Sequence, residues 1–379
     1  MKISNLNMEN IRNHHFTNME FNFGLNILFG LNGAGKTSIL EAISICGFTK
    51  SFLPVGDSSL ISNGKNEYRI IANSLSDNDI PYKVNINYEK GCRKKISSSI
   101  GDNLTAKDII GDLPIVILSP DYKSITFGSP ENRRSFMDRL LSQISKVYID
   151  DLLKFRKALR QRNSLLGDLN FNRKIDKSQL EPWTELVIKV GKDIILKRMK
   201  FIEEFNDIFM NYYKIVSSDK EKVELVYKPM GLDNSDIDFK SDNLEDVFKS
   251  LFDLNFNDEC RRGITLFGPH KDDILITING GVAREFASQG QHKSLLIALK
   301  MGEFEFLKKK KNETPVVLLD DIFSELDENR ISKVLELIFD NSAQTMITVT
   351  NPETIKRMLM INERSSYFEI TDGFVKRIN

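Results

Sequence analysis

The sequence predicts an α/β protein in which both ends of the chain build one lobe and a mainly helical lobe is inserted between them. Near the N-terminus, short apolar runs are separated by Gly, Asn and Asp, as in strands. Strand-like runs return near the C-terminus, whereas apolar residues in the middle recur at intervals of three and four. The 379 residues suffice for two lobes with their own cores. We therefore divide the chain at 1–125, 126–255 and 256–379.

Four segments at the ends of the chain have the composition of buried strands. They are Leu25–Phe29, Ile115–Leu118, Val316–Leu319 and Ile347–Val349. The run Ile274–Ile278 and the last residues of the chain also resemble strands. These segments supply the sheet of the first lobe.

The middle of the chain, from about Glu131 to Tyr213, has the spacing of helices. We expect Gly167, Pro182 and Gly191 to interrupt these helices. No heptad pattern persists for three or four turns, which argues against a long coiled coil.

Composition excludes several classes of protein. Lys and Arg total 53, as do Asp and Glu, so a nucleic-acid partner would require a local basic patch. Cys46, Cys92 and Cys260 lie far apart, which fits a reducing compartment better than a disulfide framework or a metal cluster. No apolar run reaches the length of a signal peptide core or a membrane helix. We expect a cytoplasmic protein without a membrane partner.

A phosphate-binding loop is predicted between the first buried strand and the helix after it. The pattern GxxxxGK[ST] is fitted by Gly30, Leu31, Asn32, Gly33, Ala34, Gly35, Lys36 and Thr37. Glycines let backbone N–H groups close around phosphate oxygens, and the helix N-terminus adds its positive dipole end. We expect this loop to bind ATP, with Lys36 reaching the β- and γ-phosphates and Thr37 holding Mg²⁺.

A phosphate-binding loop of this kind is accompanied by a second buried strand that is followed by an aspartate. Val316–Leu319 is such a strand, and Asp320 and Asp321 follow it. By position, Asp320 is a ligand of Mg²⁺ and Asp321 is the general base or water-orienting carboxylate. Alone this pattern is weak, because any buried strand can end in Asp-Asp. Roughly 280 residues separate it from the loop, so a large segment is inserted, as in ABC-type ATPases.

A third motif, Phe286–Gln291, matches the ABC signature LSGGQ at Ser288, Gly290 and Gln291. A serine hydroxyl and free amides at a helix N-terminus suit the γ-phosphate of ATP. In ABC proteins this phosphate belongs to the opposite subunit, so we expect a homodimer joined by ATP. The alternative is a plain helix N-cap at Ser288, which we would favour without the other motifs. Ser324–Asp327 follows Asp321 as the D-loop does in ABC proteins.

Further segments, in family order, resemble the RecF family of bacterial DNA replication and repair ATPases. Besides the ABC motifs, they are Asn10–Asn13, Ser119–Asp121, Gly128–Arg134, Gln161–Leu166 and Gly268–Asp273. Lys271 departs from the family, because we expect arginine there. Thr350 lies where transporter ATPases carry a histidine, as expected for RecF-like chains, and Asp233–Asp246 matches nothing known to us.

The resemblance implies a function. RecF-like proteins bind ATP, dimerise, bind gapped or junction-containing DNA and help RecA loading with RecO and RecR. It implies a weak, DNA-stimulated ATPase. The residue chemistry agrees, since Asp321 is one methylene shorter than the glutamate usual in fast ABC enzymes and should hold the attacking water less well.

Basic residues of the middle lobe are candidates for DNA contacts. They are Arg133, Arg134, Arg156, Lys157, Arg160 and Arg162, with a second group at Arg93–Lys95. The alternative is a solvated helical face balanced by acids; Arg133 and Arg134 have a further alternative at the nucleotide or the lobe interface. We assign no chemistry to His270 or to His14–His15.

Other functions were weighed on the same residues. Thr350 and the RecF-like segments argue against a transporter motor, and the short helical block argues against an arm-bearing SMC protein. A DNA clamp that hydrolyses ATP negligibly stays open, as does an ABC-type ATPase that does not act on DNA.

Overall fold

A computed structural model describes residues 1–172, 177–217, 221–231, 244–322, 326–352 and 365–378. The strands are β1 Lys2–Ile11, β2 His14–Glu20, β3 Leu25–Phe29, β4 Glu67–Leu75, β5 Pro81–Glu89, β6 Lys95–Ser98, β7 Gly101–Leu104, β8 Ile115–Leu118, β9 Val223–Lys228, β10 Asp273–Ile278, β11 Gly281–Val282, β12 Val316–Leu319, β13 Thr345–Val349, β14 Ser365–Thr371 and β15 Phe374–Ile378.

The described chain also contains α-helices and two short 3-10 helices, Asp57–Ser59 and Pro120–Lys123. The α-helices follow in chain order. They are α1 Lys36–Phe48, α2 Ala106–Ile109, α3 Ser124–Phe127, α4 Pro130–Ile144, α5 Lys146–Asn172, α6 Lys177–Ser217, α7 Leu244–Leu254, α8 Phe256–Arg262, α9 Ala283–Phe286, α10 Gln289–Lys311 and α11 Glu328–Asp340.

The chain divides into two compact units. The first contains Met1–Lys123, Asn211–Lys220 and Ser288–Asn379, and the second contains Ser124–Met210 and Glu221–Ala287. The α/β fold built by both ends of the chain is therefore confirmed. The return to the first unit falls at Ser288, whereas the sequence analysis placed it at 256. The physical reason is that β10 pairs with β9 of the second unit and does not join the sheets of the first.

Two six-stranded sheets form the first unit. One is antiparallel, in the order β2-β1-β4-β5-β6-β7, and the other has the order β15-β14-β3-β13-β12-β8. The strands β14, β3, β13, β12 and β8 run parallel to one another. In this sheet β3, β13, β12 and the edge strand β8 are almost entirely buried, which explains why apolar residues dominate their sequences. Their carboxyl ends lie together, where α/β folds bind ligands.

The second unit is mainly helical, with one three-stranded sheet in the order β11-β10-β9. The expected interruptions at Gly167, Pro182 and Gly191 are wrong, because these residues lie inside α5 and α6. Pro182 is in the second turn of α6. The backbone hydrogen bond that proline cannot donate is therefore lost near the start of the helix, and the long remainder of α6 is unaffected. At Gly191, an added Cβ would lie 3.3 Å from Pro269 and 3.4 Å from Phe155, so the glycine permits close packing.

Candidate nucleotide site

The phosphate loop joins β3 to α1 and is shaped by its glycines. Gly30 and Gly35 have φ angles of 154° and 109°, which side-chain-bearing residues rarely adopt. A Cβ at Gly30 would lie 2.2 Å from the carbonyl oxygen of Ile370, and one at Gly35 would lie 2.5 Å from Nε2 of His14. Glycine is therefore required at both positions by conformation and by space.

Lys36 is the first residue of α1, and its amine folds back over the loop. Nζ donates to the carbonyl oxygens of Gly30 and Leu31, both at 2.8 Å. Burial lowers the pKa of Lys36, while the charges of Asp321 and Asp320 oppose this shift. The amine thus lies inside the loop that the sequence analysis assigned to phosphate.

Thr37 and Asp320 meet although 283 residues separate them: Oγ1 of Thr37 donates to Oδ1 of Asp320 at 3.0 Å. Thr348 Oγ1 donates to the same carboxylate oxygen at 2.8 Å. Asp320 is buried, and this burial raises its pKa despite the two hydroxyl donors. Sequence reasoning missed Thr348. Its signal is a polar residue in a fully buried strand that lies beside β12 in the parallel sheet.

These oxygens fit a Mg²⁺ ion only in part. Hydroxyl and carboxylate oxygens are ligands that Mg²⁺ prefers. However, among the described residues, no three His, Cys, Asp or Glu side chains are grouped to hold a metal. A Mg²⁺ beside Thr37 and Asp320 would therefore complete its shell with phosphate oxygens and water.

A cavity of about 920 Å³ opens at this loop, large enough for a nucleotide. Its lining includes Asn32, Gly33, Gly35, Lys36, Thr37, Arg12 and Asp321. Asp321 has a φ angle of 47°, is exposed, and its backbone N–H donates to Thr348 Oγ1 at 2.9 Å. Arg12 brings positive charge to the cavity, held by two hydrogen bonds at 3.1 and 3.2 Å to the buried carboxylate of Glu41.

Ser288 is the N-cap of α10. Its Oγ accepts from the backbone N–H of Gln291 at 3.2 Å, and its own N–H donates to Oε1 of Gln291 at 2.6 Å. Ser288, Gly290 and Gln291 are not among the described residues that line the cavity. Within one chain, therefore, the signature motif does not complete the site around the phosphate loop.

Arg330 connects the signature helix to the start of α11, a link that sequence reasoning missed. Its guanidinium donates to Gly290 O and to Ser294 Oγ, both at 3.1 Å, and pairs with Asp327. The expected D-loop residues Ser324 and Glu325 lie outside the described residues, as does most of the unassigned segment 233–246.

Three of the motifs that resemble RecF lie inside the second unit, namely Gly128–Arg134, Gln161–Leu166 and Gly268–Asp273. Nε and Nη2 of Arg133 contact the two carboxylate oxygens of Asp273 at 2.7 and 2.8 Å. Arg134 Nη1 donates to the carbonyl oxygen of Asp272 at 2.6 Å. Arg162 is buried and bonds to Glu259 at 2.6 Å. These three arginines serve packing, and they are poor candidates for DNA contacts.

Most of the other basic candidates are exposed: Arg156, Lys157 and Arg160 on α5, and Arg93 and Lys95 in the first unit. Lys94 is half-buried and pairs with Asp57 at 2.6 Å, so it is a poor candidate for a DNA contact. His270 is held by its Nε2 contact with Thr265 O at 3.2 Å, and burial lowers its pKa to about 4. A neutral, enclosed imidazole agrees with the absence of an assigned chemical role for His270.

Comparison of the sequence with known proteins identifies the family. Residues 2–371 match the family model described as RecF/RecN/SMC N terminal domain. The DNA replication and repair protein RecF of Chloroherpeton thalassium is 35% identical over 351 residues, which cover 92% of this chain and 95% of that protein. RecF of Lachnospira eligens is 34% identical over the full length of both chains. The chain therefore belongs to the RecF/RecN/SMC family, and its full-length relatives are RecF proteins.

Solved structures agree. One, described as the recombination mediator protein RecF-ATP in the RecFOR pathway, is 28% identical, has a TM-score of 0.90 and covers 100% of this chain and 98% of its own. An Smc head bound to a domain of ScpA has a TM-score of 0.55 at 15% identity, which supports the ABC-type head fold alone. The resemblance to RecF drawn from the motifs is confirmed. Among the described helices, none is long and apolar enough to cross a membrane.

Proposed function

We propose that this protein is an ATP-dependent DNA-binding ATPase of recombinational repair, in which ATP joins two copies and slow hydrolysis releases them. One observation carries the proposal: among the described residues, Lys36 and Thr37 line one cavity and Thr37 bonds to Asp320, whereas the signature residue Ser288 neither lines that cavity nor bonds to these three residues. The missing half of such a site would come from the Ser288 of a second copy, where the helix N-terminus faces the γ-phosphate.

Each assigned group has a separate task. The loop from Gly30 to Gly35 cradles the phosphates with backbone N–H groups, and Lys36 neutralises the β- and γ-phosphates. Thr37 and Asp320 would hold Mg²⁺, which neutralises the charge that develops on the phosphates during transfer. Asp321 lies at the cavity and orients the attacking water. Its short side chain favours weak hydrolysis.

The DNA part of the proposal rests on the relatives' names and on one helix face. Solvent-exposed Lys154, Arg156, Lys157 and Arg160 lie within two turns of α5. No acidic residue occurs between Leu152 and Gly167, so nothing on this stretch neutralises them. Such a face suits the phosphates of gapped or junction DNA, with RecR, RecO and RecA as expected partners by relationship.

The first experiment measures molecular mass in solution with Mg²⁺, with and without ATP. We expect ATP to double the mass of the wild type, but not that of Lys36→Met or Ser288→Arg. Lys36→Met should lose nucleotide binding, whereas Ser288→Arg should keep it, because the serine acts on the other copy. A mass that ignores ATP, in a protein that still binds it, would refute the composite site.

A second experiment tests the α5 face. Arg156→Glu/Arg160→Glu should weaken DNA binding and flatten its salt dependence, by about 0.9 in slope for each lost phosphate contact. The matched control is Lys189→Glu/Lys200→Glu, which reverses two charges at exposed positions on α6 of the same unit. Equal losses in both variants would show that net charge matters and the α5 face does not. ATP turnover with and without DNA then separates a weak ATPase from a clamp with negligible hydrolysis.

A further inference from the structure

The phosphate loop is braced from outside through its carbonyl oxygens. Nδ2 of Asn13 donates to Ala34 O at 2.9 Å and to Gly33 O at 3.3 Å. The backbone N–H of Gly373, in the turn between β14 and β15, donates to Ala34 O at 3.0 Å. These contacts hold the peptides that follow Gly33 and Ala34. The carbonyl oxygen of Gly35, the N-cap of α1, has a side-chain donor in addition to the first turn of the helix.

That donor is His14, the first residue of β2. Its side chain is fully buried, with Nε2 3.0 Å from Gly35 O and Nδ1 2.8 Å from Thr17 Oγ1. Because a carbonyl oxygen only accepts, Nε2 carries the proton. The neutral Nδ1 then accepts the one hydroxyl proton of Thr17, since this contact is 2.8 Å long and the competing contact of Thr17 with Gly373 O is 3.4 Å long. Burial lowers the pKa of His14, which keeps the ring in this neutral form at physiological pH.

The contact between His14 and Gly35 O affects the orientation of the next backbone N–H group. Gly35 O and the N–H of Lys36 belong to one trans peptide, so they point in opposite directions. A donor that holds Gly35 O therefore aims the Lys36 N–H away from His14. This N–H is at the N-terminus of α1, among the amides that a phosphate-binding loop presents to its ligand.

We infer that His14 is a positioning residue that sets the orientation of the Gly35–Lys36 peptide for phosphate binding. The inference rests on the ATP binding proposed above and adds to it a residue outside the GxxxxGK[ST] pattern. The Thr17 hydroxyl contributes by holding the ring through Nδ1. Neither residue needs to touch the nucleotide.

The test compares two substitutions of His14 in the full chain. His14→Phe keeps a ring of similar size but removes the donor, and we expect about threefold to tenfold weaker ATP binding, as for one lost hydrogen bond. His14→Gln places an amide N–H near the original Nε2 and should retain most of the affinity. ATP affinity is measured by calorimetric titration, and the melting temperature is measured without nucleotide.

The stability control is Gln344→Met. Gln344 is buried and bonds to the backbone of Ile3 and Asn22. Its loss should lower the melting temperature but leave ATP affinity unchanged. Wild-type affinity in His14→Phe would overturn the inference, as would equal losses in His14→Gln and His14→Phe.

If His14→Phe fails to fold, Thr17→Val provides the test. This variant removes the hydroxyl that holds the ring and should weaken ATP binding about twofold to threefold, as for an indirect effect of one hydrogen bond. Unchanged affinity in this variant would overturn the inference. The proposed function fails separately, if the wild type does not bind ATP or if Lys36→Met binds it as well.

Discussion

Replacing Arg162 with alanine tests whether a basic residue of a RecF-like motif serves packing or DNA. The guanidinium is 1% exposed and bonds to Glu259 at 2.6 Å, Thr265 at 2.8 Å and Thr184 at 2.9 Å. It also lies 4.6 Å from the ring centroid of Phe252. No face of this side chain is open to a DNA phosphate.

The expected loss of stability comes from Glu259, which keeps its charge in the Arg162→Ala variant but loses its ion-pair partner. Glu259 is fully buried, and its other oxygen accepts from the backbone N–H of Leu266 at 2.9 Å. Breaking a buried ion pair from one side typically costs about 3–5 kcal/mol, because the remaining charge loses its partner. With a urea m-value of about 2 kcal/mol/M, the midpoint should fall by about 2 M.

The assay is urea unfolding followed by tryptophan fluorescence. The single tryptophan, Trp183, lies in α6 beside Thr184, so its signal reports on the second unit. Arg162→Met/Glu259→Leu, which removes both charges, should be markedly more stable than either single variant. The matched control Arg160→Ala, at an exposed position on the same helix, should change stability by less than about 0.5 kcal/mol. A double variant whose cost equals the sum of the single costs would refute the reasoning.

Three further predictions concern the first unit. Asp320→Asn removes the charge beside Thr37 and should abolish the part of ATP affinity that depends on Mg²⁺; titrations with and without Mg²⁺ check this, and unchanged dependence contradicts the metal assignment. Gly30→Ala, which forces a Cβ to 2.2 Å from a carbonyl oxygen, should lower both the melting temperature and ATP affinity, whereas Gly101→Ala, with open space around it, should not. Burial raises the pKa of Cys46 to about 12, so about one in ten thousand molecules carries its thiolate at pH 8. At that pH, iodoacetamide should modify the exposed Cys92 but spare Cys46 until the protein unfolds, and peptide mass spectrometry would reveal early Cys46 labelling that contradicts this.

Local patterns were sufficient for much of the fold. The buried strands β3, β8, β12 and β13 are short segments dominated by apolar residues, and this composition identifies them. The helical middle was also predictable, but Gly191 was misjudged. Its effect depends on Pro269 and Phe155, which are distant in sequence and fill the space beside it. Propensity therefore located helices correctly and failed where tertiary packing reversed the local preference.

The residues of the nucleotide site were also predictable only in part. Lys36, Thr37 and Asp320 were found because their roles follow from a loop and a strand end that can be read locally. Thr348 and His14 were missed as functional residues, because each gains its role only from a partner across the sheet or the loop. A hydroxyl or imidazole in a sequence does not indicate which backbone atom it will meet.

Two of the motifs that resemble RecF have a role different from that of the motifs at the nucleotide site. Gly128–Arg134 and Gly268–Asp273 meet through the Arg133–Asp273 pair and the Arg134 contact with Asp272, inside the second unit. The side chains of these motifs therefore have partners at fixed positions within the fold. Phosphate contacts on DNA require only exposed, flexible cations, which many arrangements of Lys and Arg provide. The DNA surface proposed on α5 carries no motif for this reason and must be located by charge reversal.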